Sequence, residues 1–499
     1  MTHWYDDLFV QAKAFVGEKR DLVINAGLSV SGLQHVGRLR GEIALSQFLT
    51  RSLREMGRHP LQSLVLYTQD EWKAKPAQIA QFAHEDGRAY VGRRLIDVPD
   101  PFGCHANWVD HYWQDFGGVL DRFAPDVRIV TTTQAYQHPE MQALVRDLAS
   151  RAEEVRAVVN KYTATYRCPR CGNEGTSSIE KGKLNWRLEW PALWKVYRVD
   201  IEPFGKDHAT PGGSRDSCAE VAQTIMHFRP PMGIPYEWVG IADRGKDLGD
   251  MGSSDFLGFT PVQWVEVGDP EVLRYPYAFT PTFRRIVLDL SRVDAYHDAY
   301  DRAEEAFYSS ERKGDEDDQA RAFELAQLAP PPKRKPFALS YRHAAFLSQI
   351  SPETGRLEWS LNRMRDTGIL ARAPTAAERA RIARRIEQAR VWVEKYATEN
   401  RVTLLQAMTP DVAAQLDDRD RSALRTYADK AARAAWTEDA IKDSMVSLTK
   451  AGGLPVETSR FFRDLYLVLL GSERGPRAAP FLAVLEKDWV LRRLHEAAK

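Results

Sequence analysis

The chain has 499 residues, of which 43% are hydrophobic, and its 69 Lys and Arg residues balance 69 Asp and Glu residues. This length predicts two or three domains with buried cores, and the charge balance excludes an overall field that attracts nucleic acid, although a local basic face remains compatible with it. With four cysteines, no apolar run of membrane-spanning length and no leader pattern at the N-terminus, we expect a reducing, cytoplasmic setting without a membrane partner.

The segment 21–42 predicts a strand, a tight turn and a helix. Residues 22–24 are apolar, small residues follow at Gly27, Ser29 and Gly32, and apolar residues recur at helical spacing after His35. This arrangement presents backbone N–H groups and the positive end of a helix to an anion, often a phosphate. We expect His35 to donate to phosphate oxygens and Gly37 to let a nucleotide lie close, although an ordinary structural turn fits the same pattern.

Two further strands are predicted at 61–67 and 127–133, and a helix at 141–161. Asp70 follows the first of these strands, and the carboxyl ends of parallel strands are where open α/β sheets bind ligands. Asp70 is therefore a candidate substrate residue, although capping of the next helix would also explain an Asp at this position.

Residues 186–254 hold the densest chemistry. Trp186 opens a run with three tryptophans, which favours either a core or a platform for a long side chain. A strand predicted at 197–201 is followed by Lys206, Asp207 and His208, and Gly212–Gly213 precede a helix predicted at 216–228. Because charge, a histidine and paired glycines coincide, we interpret this region as a site. The polar loop 244–258 is predicted to be mobile and to close over phosphates.

Residues 310–336 are charged and proline-rich and are typical of an exposed connection. The chain beyond them is predicted to be helical. An arginine-rich helix at 376–396 presents Arg379, Arg384 and Arg385 on a broad face, which fits either a solvated surface or a tRNA-facing one.

Cys168-Pro169-Arg170-Cys171 is half of a zinc knuckle, and tetrahedral zinc needs two more ligands. Cys104, His208 and Cys218 are the available candidates. A degenerate metal site and a simple tight turn both remain open, and we assign no metal here.

Several motifs in this order resemble class I lysyl-tRNA synthetases, of the class I aminoacyl-tRNA synthetase family. The turn GLSVSGLQHVGR is similar to the family's HIGH signature. The resemblance continues through VPDPFGC, WRLEWPALW, EPFGKDHATPGGS, IPYE, GDPEVLRY and LYLVLLGSERGPRA and covers nearly the whole chain.

The resemblance implies an α/β fold, with a Rossmann-like parallel-sheet catalytic domain followed by an α-helical bundle that binds the tRNA anticodon. We place the catalytic domain at 1–310, with an inserted connective region at about 95–185. The boundary segment falls at 311–336 and the helical domain at 337–499.

The resemblance further implies ATP-dependent activation of L-lysine and its transfer to tRNA(Lys), with Mg²⁺ arriving with ATP, and we expect a monomer. The implied lysine-site residues are Gly27, Ser29, Asp70, Trp186, His208 and Tyr236. The implied ATP-site residues are His35, Gly37, Arg38, Gly205, Asp207, Gly212 and Met251. The implied catalytic set is His35, Gly37, Lys246, Ser253 and Ser254. Arg379, Arg384 and Arg385 are expected to face tRNA. Asp70 and Glu42 are the candidate acids for the lysine ε-ammonium.

The chain departs from the family in the loop that should read KMSSSKG, where Asp250 and Asp255 replace both lysines. Loss of one such cation costs several kcal/mol of transition-state stabilisation, and a carboxylate facing phosphate adds repulsion. Lys246 and Arg38 are candidate replacement cations. Two alternatives therefore stay open beside the ligase: a paralogue that binds lysine or tRNA for regulation, and an enzyme that aminoacylates another acceptor.

Overall fold

A computed structural model describes residues 3–159, 183–450, 452–475 and 477–499. The chain divides into two compact units, unit 1 with Met1–Leu290 and Arg302–Arg334, and unit 2 with Ser291–Asp301 and Lys335–Lys499. None of the helices in this described part combines the length and apolar character that crossing a membrane requires. Cys168 and Cys171 lie outside the described residues.

Unit 1 contains two sheets among its described residues, a five-stranded parallel sheet and a smaller three-stranded one. The strands are β1 Asp21–Leu28, β2 His59–Leu66, β3 Arg128–Thr131, β4 Ile201–Gly205, β5 Met232–Tyr236, β6 Val239–Asp243, β7 Lys246–Asp250 and β8 Ile286–Leu288.

Helices surround these sheets. In chain order up to residue 334 the helices are α1 Trp4–Val16, α2 Ser46–Glu55, α3 Pro76–Ile79, α4 Trp108–Gly117, α5 Thr132–Gln137, α6 Pro139–Ser150, α7 Ala152–Val159, α8 Trp186–Val196, α9 Ser214–Glu220, α10 Pro261–Val265, α11 Pro270–Phe279, α12 Val293–Tyr308 and α13 Glu316–Ala326. Unit 2 continues with α14 Tyr341–Ile350, α15 Arg356–Asp366, α16 Ala376–Lys395, α17 Pro410–Ala414, α18 Asp418–Arg433, α19 Glu438–Lys450, α20 Thr458–Leu470, α21 Ala478–Val484 and α22 Lys487–Ala497.

The five-stranded sheet has the order β3-β2-β1-β4-β5, with parallel pairing between each pair of neighbours. Its central strand β1 is almost continuously buried from Leu22 to Leu28, as expected for a parallel strand covered on both faces. The strands β2 and β3 lie on one side of β1, whereas β4 and β5 lie on the other side. The carboxyl ends of β1 and β4 therefore flank a crevice of the kind in which open α/β sheets bind ligands. The predicted α/β fold is confirmed.

A buried polar network joins the centre of this sheet to helix α8. Asn25 donates to Glu202 over 3.0 Å, and the Trp194 indole donates to the other Glu202 oxygen. Ser63 donates to Asn25 over 2.8 Å. Because an unpaired buried carboxylate is costly, these partners fix how β1, β2 and β4 align.

Three local predictions differ from the structure. The loop predicted at 244–258 contains strand β7, which pairs antiparallel with β6, because Arg244 and Gly245 both adopt positive φ and form the two-residue turn of a hairpin. The strand predicted at 197–201 is instead β4, Ile201–Gly205, and Tyr197 ends helix α8. The strand predicted at 127–133 ends at Thr131, whose hydroxyl caps helix α5.

The segment 311–336 contains helix α13, whose Ala320, Ala322, Phe323 and Leu325 are buried. The charged residues that indicate a connection form its exposed face. Whether the domain boundaries drawn from the sequence describe separately folding units stays a prediction.

Candidate active site

The crevice between β1 and β4 is formed by the turn after β1, the short turn after β4 and the end of β5. The first turn runs from Ser29 to His35 and leads into a 3₁₀ turn at Val36–Leu39. Lys206–His208 form a 3₁₀ turn directly after β4. The sequence therefore places glycines, serines, histidines and cations at one sheet edge, as the strand-end argument predicts.

His35 is buried on the floor of this crevice, with 6% of its surface exposed. Its Nδ1 atom has no hydrogen-bond partner among the described residues, and a Cβ on Gly37 would lie 2.8 Å from that atom. Burial, and then the Arg38 guanidinium, lower the pKa of His35 well below its usual value. His35 is thus a neutral imidazole at pH 7, able to donate a hydrogen bond to phosphate but not to act as a cation.

Residues 250–258, here called the phosphate loop, lie directly on the turn after β1. A Cβ on Gly258 would come within 2.8 Å of the His35 Cβ, and the φ of Gly258 is +144°. The Val36 N–H donates to Phe259 O over 2.9 Å, and Phe256 packs edge-on against Tyr112 with 5.2 Å between ring centroids. The close approach requires glycine at 258 and holds the loop against His35.

Both aspartates of the phosphate loop are paired with cations from other segments. Asp250 accepts from the Arg285 Nε over 2.5 Å, and Arg285 also binds Asp247. Asp255 accepts from the Lys75 Nζ over 3.0 and 3.1 Å. In this chain both loop carboxylates are therefore neutralised by cations from other segments.

Lys246 does not fit the predicted catalytic role. It is exposed at the outer end of β7, opposite Asp243. At about 3.3 Å per residue, four residues of strand separate it from Asp250 by roughly 13 Å. The sequence argument fails here because it treats 244–258 as a flexible loop.

Trp186 and His208 come together as predicted, with 5.7 Å between ring centroids. Trp190 lies 5.3 Å from His208 and extends this aromatic wall. Tyr67 contacts Trp186 at 5.0 Å and covers Gly27, where a Cβ would come within 2.5 Å of its ring. Gly27 thus lies within β1 and not in the turn, and its absent side chain makes room for Tyr67.

Burial is the largest influence on His208 and lowers its pKa. Asp207 opposes this shift, whereas Arg38 and Arg187 reinforce it. The ring is therefore more often neutral near pH 7 than a free histidine and does not repel a cationic ligand.

Glu42 is a buried carboxylate beside Tyr236 and Arg38. Its Oε1 accepts from Arg38 over 3.2 Å, whereas Oε2 has no hydrogen-bond partner among the described residues. Burial raises the pKa of Glu42, and Arg38 and the Tyr236 hydroxyl oppose that rise. Tyr236 also packs on Gly41, where a Cβ would lie 2.0 Å from the ring. A buried carboxylate with an unused oxygen fits a cationic ligand.

Asp70, the other candidate acid, is already paired. The Lys183 Nζ lies 2.7 Å from Asp70 and 2.9 Å from Glu189, whose side chain is fully buried. Tyr136 donates to Glu189 over 2.9 Å and completes the group. In this structure Asp70 therefore neutralises an internal lysine and does not offer its charge to a substrate.

The other predicted ligand residues fall into two groups. The crevice is bordered by Ser29 and Gly205, whereas Met251, Ser253 and Ser254 belong to the phosphate loop. The Ser253 Oγ atom is buried and has no hydrogen-bond partner in the described structure. Asp207 and Gly212 are exposed, and the Gly212 N–H donates to Asp216 over 2.8 Å at a φ of +71°.

The comparisons with known proteins agree with this geometry. The family model described as tRNA synthetases class I (K) matches residues 2–165 and 160–329, and one described as anticodon binding domain matches 345–498. The chain belongs to the class I lysyl-tRNA synthetase family. It is 36% identical to a lysine--tRNA ligase of Aeropyrum pernix, over 100% of this chain and 98% of that protein. Lysine--tRNA ligases of Pyrococcus furiosus and Methanocaldococcus jannaschii are 28% and 25% identical, each over at least 98% of both chains.

A cluster of four possible metal ligands lies around Cys104, and the sequence analysis did not group these four residues. Asp100, Cys104, His105 and His111 place one donor atom each within 4.8 Å of one another. Cys104 Sγ lies 3.1 Å from His105 Nδ1 and 3.3 Å from His111 Nδ1, and His111 Nδ1 lies 3.1 Å from Asp100. Thiolate, imidazole and carboxylate donors with these separations fit a tetrahedral zinc ion.

The sequence analysis assigns no metal, whereas the donor chemistry of this cluster would suit one, and whether the chain binds a metal stays a prediction. The signal in the sequence is the spacing Asp-x₃-Cys-His-x₅-His. This spacing contains no Cys-x-x-Cys pair, so the zinc-knuckle pattern does not include it. Cys218 is not part of it, because its buried thiol donates to the Arg187 carbonyl.

The arginines of α16 differ in their availability for tRNA. Arg385 is 1% exposed, binds both oxygens of Asp301 over 2.8 and 3.0 Å, and donates to Leu339 O. Arg379 forms an ion pair with Glu358, and Arg384 is exposed. Arg385 is thus a packing residue of unit 2, which does not fit the predicted contact with tRNA.

Proposed function

We propose that this chain activates L-lysine with ATP and transfers the lysyl group to tRNA(Lys). In the first step a lysine carboxylate oxygen bonds to the α-phosphorus of ATP as the bond from that phosphorus to pyrophosphate breaks. In the second, a hydroxyl of the terminal tRNA ribose attacks the lysyl carbonyl and adenylate leaves. The observation that supports this best is the Glu42 carboxylate, which is buried beside Arg38 and Tyr236 and has one oxygen without a hydrogen-bond partner in the described structure.

Lysine would lie with its aliphatic stem along Trp186 and the neutral His208. Its ε-ammonium would reach Glu42 and the Tyr236 hydroxyl. The Arg38 guanidinium now at Glu42 Oε1 would remain beside that carboxylate or move towards phosphate. We favour Glu42 over Asp70 because Asp70 and Glu189 are already neutralised by Lys183.

ATP would bind over the turn after β1, with His35 and the Gly37 backbone at the phosphates. Mg²⁺ would accompany the phosphates. Such a site acts by positioning and by stabilising charge, without a covalent nucleophile.

For tRNA, unit 2 offers a cavity of about 1260 Å³. Phe346, Trp392 and Phe481 line it but are almost fully buried, whereas Arg401, Arg474 and Arg477 are exposed at its edge. Exposed guanidinium groups can bind phosphates and stack on unstacked nucleobases. We therefore propose this cavity, in preference to the face that carries Arg385, as the anticodon contact.

Lysine-dependent exchange of labelled pyrophosphate into ATP, with and without tRNA, tests the proposed activity, and charging of tRNA(Lys) tests the second step. Exchange that requires lysine and is followed by charging supports the ligase. Exchange with charging of a different acceptor would favour the alternative enzyme, and lysine or tRNA binding without exchange would favour the regulatory paralogue. Full-length similarity to lysine--tRNA ligases favours the first outcome.

Glu42→Gln tests the lysine site itself. Loss of one charged hydrogen bond, worth about 1.5–3 kcal/mol, is expected to raise the lysine KM about 10- to 100-fold while the shape of the site is kept. Asp70→Asn is the comparison variant and should change the lysine KM much less. A larger effect at Asp70 than at Glu42 would contradict the assignment.

A further inference from the structure

Activation of an amino acid by ATP releases pyrophosphate, whose developing negative charge needs a cation nearby. We propose that Lys75 is the cation that stabilises the leaving pyrophosphate, in place of the loop lysine that Asp255 replaces. This inference rests on the proposed function, because only ATP activation produces that charge.

The position of Lys75 carries the proposal. Its Nζ lies 3.0 and 3.1 Å from the two oxygens of Asp255, so its ammonium lies beside the loop position where the family has its own lysine. Three residues further along, Gln78 donates to Ser31 O over 2.8 Å and ties this segment to the turn after β1. Lys75 is therefore anchored near both walls of the phosphate crevice.

A second observation at the same place points to a ligand. Ser253, two residues before Asp255, is 4% exposed, and its hydroxyl has no hydrogen-bond partner in the described structure. A buried hydroxyl without a partner costs free energy unless a ligand supplies one. An oxygen of the departing pyrophosphate, held by Lys75, would satisfy it.

Energetics allow Lys75 to leave Asp255 for phosphate. The side chains of Lys75 and Asp255 are 40% and 59% exposed, and exposed ion pairs contribute little net free energy because water screens them. An ammonium against a phosphate in a closed site gains more, because the charges are larger and less screened. Asp255 thus positions the ammonium before ATP arrives without holding it strongly.

Other cations near the crevice have different attachments. Lys206 pairs with Glu237 over 2.6 Å and lies over the Trp238 ring. Arg285 is shared between Asp247 and Asp250. Among the described cations, Lys75 is paired with Asp255, whereas Arg285 is paired with Asp250, the other loop position where the resemblance implies a lysine.

The experiment compares Lys75→Ala with Lys73→Ala, an exposed lysine two residues away. Lysine-dependent ATP–pyrophosphate exchange is measured with the full chain, together with the lysine KM, the pyrophosphate KM and the melting temperature. Lys75→Ala is expected to lower the exchange rate about 100-fold and to raise the pyrophosphate KM, because loss of one transition-state donor costs about 10²–10³ in rate. For Lys75→Ala the lysine KM should stay within twofold of the wild-type value, and the melting temperature should stay within 2 °C of it. Lys73→Ala should match the wild type in every measurement.

A transposed lysine provides the decisive variant. Lys75→Ala combined with Asp255→Lys moves the cation back into the loop and is expected to recover at least tenfold of the lost exchange rate. Asp255→Asn alone should lower exchange much less than Lys75→Ala, because asparagine keeps a hydrogen-bond acceptor beside the Lys75 ammonium.

Exchange by Lys75→Ala within threefold of the wild type would overturn the proposal. So would a loss matched by an equal loss of lysine affinity or of stability, and so would failure of the transposed variant to recover activity. A wild-type protein without lysine-dependent exchange would instead overturn the proposed function, before any variant is compared.

Discussion

Two segments face the expected phosphate position, and they are built in opposite ways. The turn after β1 presents backbone groups and the buried His35, whose pKa is lowered by burial. The phosphate loop carries two carboxylates, Asp250 and Asp255, and takes its cations from Arg285 and Lys75, which lie elsewhere in the sequence.

The difference illustrates how an anion site made of backbone groups and one made of side-chain charges respond to a change of side-chain charge. A site made of backbone N–H groups and a tight turn needs a particular local chain path, so its glycines and histidine stay together in sequence. A site made of side-chain charges needs the right net charge in space, so its cations can come from segments far away in sequence.

The largest expected effect is at the first segment. His35→Ala should lower lysine-dependent exchange about 10²–10³-fold, because a neutral donor to the phosphates is lost in a site from which water is excluded. Lysine affinity, measured by calorimetry, should be nearly unchanged. An equal loss of lysine affinity would show that His35 supports the whole crevice and not the phosphates alone.

Removal of a metal ion from the cluster at Cys104 tests whether this cluster stabilises the position of the phosphate loop. We expect the purified chain to contain one zinc ion, and Cys104→Ser to remove it and to lower the free energy of unfolding by about 3 kcal/mol. Phe256 of the phosphate loop packs on Tyr112, the neighbour of His111, so exchange should also fall. Metal content is measured by mass spectrometry, with Cys218→Ser as the control that should keep its zinc. A metal-free wild-type chain of unchanged stability would contradict this assignment.

Arg285→Ala should lower exchange about tenfold, since it leaves the Asp250 carboxylate of the phosphate loop unpaired. Arg285→Ala combined with Asp250→Asn should recover most of that loss, which a merely structural role would not allow. Arg244→Ala, an exposed arginine at the turn of the same hairpin, serves as the control. Lack of recovery would show that Arg285 acts by supporting the hairpin.

The smallest effect is expected for Lys246→Ala, which should leave exchange within twofold because its ammonium lies at the far end of β7. The same assay measures it. A tenfold loss would mean that the hairpin rearranges when ATP binds, and the contrast between the two segments would weaken.

Sequence reasoning reached the parallel sheet, the turn after β1, the pairing of Trp186 with His208 and the helical second half. These features follow from local patterns: apolar runs, turn residues and helical spacing. It missed the β6–β7 hairpin and read Arg385 as a surface residue. A short strand with few apolar residues has no distinctive pattern, and burial of an arginine depends on a distant partner such as Asp301.

The sequence by itself determined where the glycine- and serine-rich turn after β1 lies, because the path of such a turn is encoded within a dozen consecutive residues. Only the tertiary structure decided which carboxylate remains available for a lysine ammonium, which four side chains converge at Cys104, and which cations neutralise Asp250 and Asp255. Charges act through space over a few ångströms, and in this fold the partners are brought together from strands and helices far apart along the chain.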